Sequence, residues 1–181
     1  CTFETDGLLN DPSIKPSAFV SMWDVHGVTF EGNTFINRTP DLFPLTERGT
    51  GILSIDASYR VEKECIDPIL GGGCGQLIPN TFENLFEGIH ALGNGQLNAN
   101  IIVTDNIFNN VYRGICSAGQ SFDEISGNTF VNVPIGSSSL PSSLGINMFG
   151  SQSFTIRNNQ ITGDAAVNNW GINVQIGRAH V

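Results

Sequence analysis

The sequence predicts an all-β chain wound as a parallel β-solenoid of about six coils. Three observations carry this reading. The pattern Asn-x-Phe-x-Asn recurs at 33–37, 80–84, 106–110 and 128–132. Between its copies a Gly-Ile pair recurs, led by Gly51, Gly88, Gly114, Gly145 and Gly171. Helical periodicity is missing, and Gly makes up 21 of the 181 residues, a composition that disfavours long helices.

Each coil is read as two short strands and a turn rung. Phe154-Thr155-Ile156-Arg157 alternates as a half-buried strand does. It belongs to a set of apolar residues three places before the first Asn: Phe30, Leu77, Val103, Ile125 and Ile156. The Gly-Ile pair opens the other strand, and Ala18-Phe19 takes that place in the first coil. Cys1, Phe3 and Thr5 form a degenerate first copy of the Asn-x-Phe-x-Asn rung, and Asn159-Gln160-Ile161 a weak last one. Gly88 to Gly114 and Gly145 to Gly171 are both 26 residues apart (114 − 88 and 171 − 145). The longer intervals hold Gly- or Ser-rich stretches at 62–76 and 133–144, which behave as loop insertions in a regular coil. A leucine-rich repeat shares some residue types. It needs a regular convex segment and a nearly constant period, and neither is present.

Stacked strands lie about 4.8 Å apart, so equivalent residues form ladders. Phe35, Phe82, Phe108 and Phe130 are expected to stack inside the coil. Asn in such a slot must satisfy its amide and tolerates left-handed corners. Asn33, Asn80, Asn106, Asn128 and Asn159 therefore read as one structural ladder, and Asn37, Asn84, Asn110 and Asn132 as a second. Asn37-Arg38-Thr39 matches a glycosylation sequon, but its slot implies burial.

Cys65 and Cys74 flank a Gly-rich stretch, and a local disulfide is favoured over two unrelated thiols. Such a bridge implies an oxidising compartment. Cys1 and Cys116 have no evident partner. The spacing of His and Cys suggests no metal site, and no cofactor motif is present. The chain starts without Met and without a secretory signal, and residues 176–181 fit no repeat slot. Those six read as translated sequencing adapter, so the β-solenoid is assigned to 1–175, with both ends truncated.

There are 17 Asp+Glu against 8 Lys+Arg, a formal charge of -9. That balance repels phosphate backbones, which excludes nucleic acid as a partner, and disfavours polyanionic substrates. No apolar run spans a bilayer.

With these motifs in hand, 18–175 resembles the right-handed parallel β-helix repeats of the pectin-lyase-like superfamily, and within it the exported surface proteins of Bacteroidetes. The stretches "NTFENLFEGIHALGNG" and "NIIVTDNIFNNVYRGICSAG" carry the likeness. The resemblance implies a single-stranded right-handed parallel β-helix at the cell surface or outside the cell. The expected role is recognition of carbohydrate or of a partner surface, with no catalytic residues assigned. The alternatives are a polysaccharide lyase or glycoside hydrolase whose catalytic coils are partly missing, and a spacer carrying a sorting domain. Lyases of the fold use an Arg or Lys base, and hydrolases use several close Asp. Asp105, Asp123 and Glu124 form no such motif, and Arg60, Lys63 and Arg113 align with no acidic group. If the Ile of each Gly-Ile pair faces inward, Leu53, His90, Cys116, Asn147 and Asn173 form an outward row, of which His90, Asn147 and Asn173 suit a sugar. An apolar stripe of Ile55, Leu92, Ala118 and Phe149 is expected beside it. The isolated His26 and His90 read more simply as structural, and Trp23 and Trp170, whose rings suit stacking on a sugar, more simply as packing.

Overall fold

A computed structural model describes residues 1–5, 17–94, 99–133, 143–163 and 170–175, without the side chains of Asn132, Val133 and Trp170. After β1 (Thr2–Thr5), the first full coil runs β2 (Ala18–Trp23), β3 (His26–Glu31) and β4 (Thr34–Asn37). The second runs β5 (Thr50–Ile55) and β6 (Ser58–Glu62). A hairpin of β7 (Glu64–Cys65) and β8 (Leu77–Ile78) intervenes before β9 (Thr81–Glu83) closes the coil. The third is β10 (Glu87–Leu92), β11 (Ile101–Thr104) and β12 (Ile107–Asn109). The fourth is β13 (Arg113–Ala118), β14 (Glu124–Ser126) and β15 (Thr129–Val133), and the fifth β16 (Leu144–Phe149), β17 (Thr155–Arg157) and β18 (Gln160–Gly163). A further strand, β19 (Trp170–Gln175), starts another coil.

Equivalent strands pair in parallel and build three sheets around one core. The front sheet runs β2-β5-β10-β13-β16-β19, the flank sheet β3-β6-β11-β14-β17, and the rear sheet β1-β4-β9-β12-β15-β18. Each coil thus has three strands, not two and a turn rung. The Asn-x-Phe segment is itself a strand, because its Phe and the residues beside it pair in register with the coils above and below.

The rear sheet sends Phe3, Phe35, Phe82, Phe108 and Phe130 into a single stack. Neighbouring ring centroids are 4.7–4.8 Å apart and the planes within 10° of parallel. The stack explains the recurrent Gly. A Cβ on Gly88 would lie 2.6 Å from both the Phe108 ring and the Gly114 carbonyl oxygen. Gly51 and Gly114 are constrained in the same way by Phe82 and Phe130. Glycine is therefore required there for close approach rather than for backbone freedom.

The flank sheet fills its inner slot with Phe30, Val61, Val103, Ile125 and Ile156. Val61 stands where the sequence count pointed to Leu77. Leu77 lies instead in the antiparallel hairpin and is 49% exposed. The hairpin lengthens this coil between its flank and rear strands, so counting back from Asn80 lands inside the insertion. Cys65 and Cys74 are joined in a disulfide that clamps this hairpin, with Cα atoms 5.8 Å apart.

At the flank-to-rear corner the Asn side chains form a continuous chain of hydrogen bonds. Asn33 Nδ2 donates to Asn80 Oδ1 (3.1 Å), Asn80 to Asn106 (2.8 Å), Asn106 to Asn128 (3.1 Å) and Asn128 to Asn159 (3.0 Å). Asn80, Asn106 and Asn128 are buried. Left-handed backbone at this corner falls one residue earlier, at Gly32, Asp105, Gly127 and Asn158, and not at the ladder Asn. The residue before the ladder Asn thus makes the bend at four of the five positions, whereas Pro79, before Asn80, has no positive φ.

At the rear-to-front corner Asn84 and Asn110 do take positive φ, 59° and 54°. Asn110 Nδ2 donates to Asn84 Oδ1 (2.7 Å), and Asn84 Nδ2 to the Asn37 carbonyl (3.0 Å). Asn37 is buried at the end of β4, its amide 3.4 Å from the Arg48 carbonyl. Asn132 lies within β15, and its side chain is outside the described residues.

Candidate functional site

The front sheet is the face on which chemistry-bearing side chains converge. Its parallel register places Ser21, Leu53, His90, Cys116, Asn147 and Asn173 in one row, a residue from each coil. Leu53, His90, Asn147 and Asn173 are half-buried. Asn173 Nδ2 donates to Asn147 Oδ1 at 2.8 Å. Cys116 departs from the expected open row. It is 6% exposed, because the neighbouring coils crowd a small side chain. Burial and the nearby Glu87 charge push its thiol up to about 12, so it is a poor nucleophile.

The row beyond it holds Trp23, Ile55, Leu92, Ala118 and Phe149. Its centre is half-buried, but its ends are open: Trp23 is 75% exposed and Phe149 57%. The sequence reading of Trp23 as packing is therefore corrected. Trp23 ends an outward-facing strand position on the first coil, where nothing described covers it. Trp170 begins β19, with its side chain outside the described residues.

The leading row holds Thr50, Glu87, Arg113 and Leu144. The Glu87 side chain is 6% exposed and is the hub. His90 Nδ1 lies 2.8 Å from its Oε2, Arg113 Nη1 donates to its Oε1 at 3.2 Å, and Thr50 Oγ1 donates to Oε2 at 3.3 Å. Three successive coils thus meet at one carboxylate. Burial works against its charge, but the hydrogen bonds and charges of His90 and Arg113 outweigh burial and hold its pKa below the ordinary carboxylate range. Arg113 sits over the stacked Phe86 and Tyr112 rings, 5.2 and 5.9 Å from their centroids.

The expectation that Arg113 aligns with no acidic group is thus overturned. A signal for it was in the chain: "FEGI" and "YRGI" place Phe86-Glu87 and Tyr112-Arg113 before successive Gly-Ile pairs. The interval is the regular 26 residues (113 − 87), which stacks Glu87 beside Arg113.

The other candidates lie elsewhere. His26 pairs with Asp24 (3.3 Å) at an exposed corner. Arg60 is held by Glu62, Glu124 by Arg157, and Lys63 lies 3.6 Å from Asp105. Asp123 is buried inside the coil, where it accepts hydrogen bonds from Ser117 Oγ and the Ile101 N–H. Burial raises its pKa in spite of those bonds.

A search against protein families matches residues 17–179 to the right handed beta helix region. No curated protein and no solved structure matches the chain.

Proposed function

We propose that this chain, which belongs to the right handed beta helix family, is a recognition module for a saccharide chain laid across its front sheet. The observation that carries the reading is the in-register row through His90, Asn147 and Asn173, bordered by exposed Trp23 and Phe149. Successive strands are about 4.8 Å apart, so the row offers like groups at a regular interval, as a polymer of repeating units requires. Asn side chains supply both donors and acceptors for hydroxyl groups. Aromatic faces supply apolar area for the rings of sugars. A formal charge of -9 favours a neutral chain over a polyanionic one.

The Cys65–Cys74 bridge supports placing this module in an oxidising compartment, at the cell surface or outside the cell. Among the described residues no helix is long and apolar enough to cross a membrane.

The test is a glycan array followed by calorimetry on neutral polysaccharides. Binding that weakens about tenfold or more in Trp23→Ala/Asn147→Ala is expected, the loss of one stacking and one hydrogen-bonding contact. A protein that binds no neutral glycan on the array, or binds equally well with both residues removed, overturns the reading.

A further inference from the structure

We propose that the Glu87–His90–Arg113 cluster is a hydrolytic site that removes O-acyl groups from a neutral saccharide chain held on the front sheet. The inference rests on the saccharide reading above and adds a reaction to it.

The geometry is that of a held base beside a held cation. Glu87 Oε2 takes the Nδ1 side of His90 at 2.8 Å, and Oε1 takes Arg113 at 3.2 Å. Imidazole and guanidinium therefore sit side by side on the two oxygens of one carboxylate, from adjacent coils. In its neutral tautomer with the proton on Nδ1, toward Glu87, His90 leaves the Nε2 lone pair free for a substrate. The side chains of His90 and Arg113 are 30% and 31% exposed, whereas Glu87 is 6% exposed and out of a ligand's reach. Glu87 is thus a positioning residue, itself fixed by Thr50. Arg113 is further braced over Phe86 and Tyr112 and offers a positive charge of defined direction.

Other reactions fit this face less well. Glycoside hydrolysis needs two carboxyl groups, one of them protonated. Glu87 is the one carboxylate among the described residues of the three outward rows, and its ion pairs keep it charged. Cys116 is buried and unsuited to attack. Elimination from a polyuronate requires a polyanion to approach a chain of charge -9. Attack of water on an acyl carbonyl needs only a base and a cation for the developing oxyanion, which His90 and Arg113 supply.

The step balances with water as co-reactant. His90 Nε2 takes a proton from water as its oxygen forms a bond to the acyl carbon. The carbonyl π pair moves onto oxygen, facing Arg113. Collapse re-forms the carbonyl and breaks the bond to the sugar oxygen, which takes the proton from Nε2. The products are a carboxylic acid and a free sugar hydroxyl. The groups lie on an open sheet face, which suits a substituent on a polymer better than a small ester.

The test uses O-acetylated glucomannan and acetylated xylan, with acetate release followed by NMR. Binding is measured in parallel on the same polymers after alkaline deacetylation. Release is expected, lowered at least about 100-fold in His90→Gln and comparably in Arg113→Lys, with both variants checked for native circular dichroism. Glu87→Gln should shift the pH profile of the residual rate, a readout that a merely structural role would leave in place. Binding of the deacetylated polymer without any acetate release overturns the hydrolytic site and leaves the recognition reading standing. Neither binding nor release overturns both. Release that persists in folded His90→Gln and Arg113→Lys also overturns the site.

Discussion

Replacing Asn106 by Leu tests the corner ladder most directly, because the two side chains share branching and heavy-atom count but Leu makes no hydrogen bonds. Asn106 is 1% exposed. Its Nδ2 donates to the carbonyls of Val61 and Thr104, each at 2.9 Å, and lies 3.1 Å from Asn128 Oδ1, while its Oδ1 accepts from Asn80 at 2.8 Å. In Asn106→Leu, Asn80 keeps the Phe30 and Glu62 carbonyls for its two hydrogens, and Asn128 Oδ1 keeps the Asn106 backbone N–H. The unrelieved loss is the buried Val61 carbonyl and the part-buried Thr104 carbonyl, together about 2–4 kcal/mol. The added apolar surface recovers about 1–2 kcal/mol, and fitting the larger Leu into the packed corner costs about 1 kcal/mol. A net destabilisation of about 1–4 kcal/mol follows. The assay is equilibrium urea unfolding, with fluorescence and circular dichroism required to give coincident transitions. Asn159→Leu is the internal comparison. Its orphaned partners are the carbonyls of Ile125 and Arg157 and the backbone N–H of Asn128, at the half-exposed end of the ladder where water can replace the amide. Its expected cost is about 1 kcal/mol. Equal costs at the two positions, or a cost under about 0.5 kcal/mol at Asn106, would refute the account.

Two further outcomes follow from the core. Gly88→Ala places a Cβ 2.6 Å from both a backbone carbonyl oxygen and the Phe108 ring, so it should cost about 2 kcal/mol or more, whereas Gly71→Ala in the hairpin meets nothing within 4 Å and is limited to backbone strain; thermal unfolding of the pair decides it. Asp123 has a raised pKa in the folded chain, so its contribution is most favourable below the unfolded value of about 3.9 and is lost as pH rises through the folded value. Asp123→Asn keeps an acceptor for the Ile101 N–H and a partner for Ser117. Its stability relative to the parent should therefore grow from pH 4 upward, and a difference independent of pH across that range in urea titrations contradicts the raised pKa.

The parts of the fold legible in the sequence are those where one slot accepts few residue types. The stacked rings admit Phe and exclude any Cβ at the glycine opposite, so both residues repeat and both can be counted. The flank sheet was harder to place, because its inner slot accepts Phe, Val or Ile alike and an insertion moved the count from Val61 to Leu77. Corner conformation was misplaced by one residue, since Asn is chosen at one corner for its amide and at the other for its backbone. The outward row was legible from alternation alone, but not its depth. Alternation gives the side of a strand, whereas the burial of Cys116 and the exposure of Trp23 depend on what the neighbouring coils present. The Glu87–Arg113 contact needed the repeat interval applied to residues that do not themselves repeat.

The two amide chains run in opposite senses: donors point toward later coils at the Asn33–Asn159 corner and toward earlier coils at the Asn37–Asn110 corner. A coil is therefore a keyed part with a plug and a socket on each end, at different corners. Duplicating a coil in frame between Gly88 and Gly114 reproduces both fittings, with the duplicated coil stacked on its own copy. A coil inserted upside down would meet donor with donor at one corner and acceptor with acceptor at the other. Both fittings fix the stacking of coils in one direction.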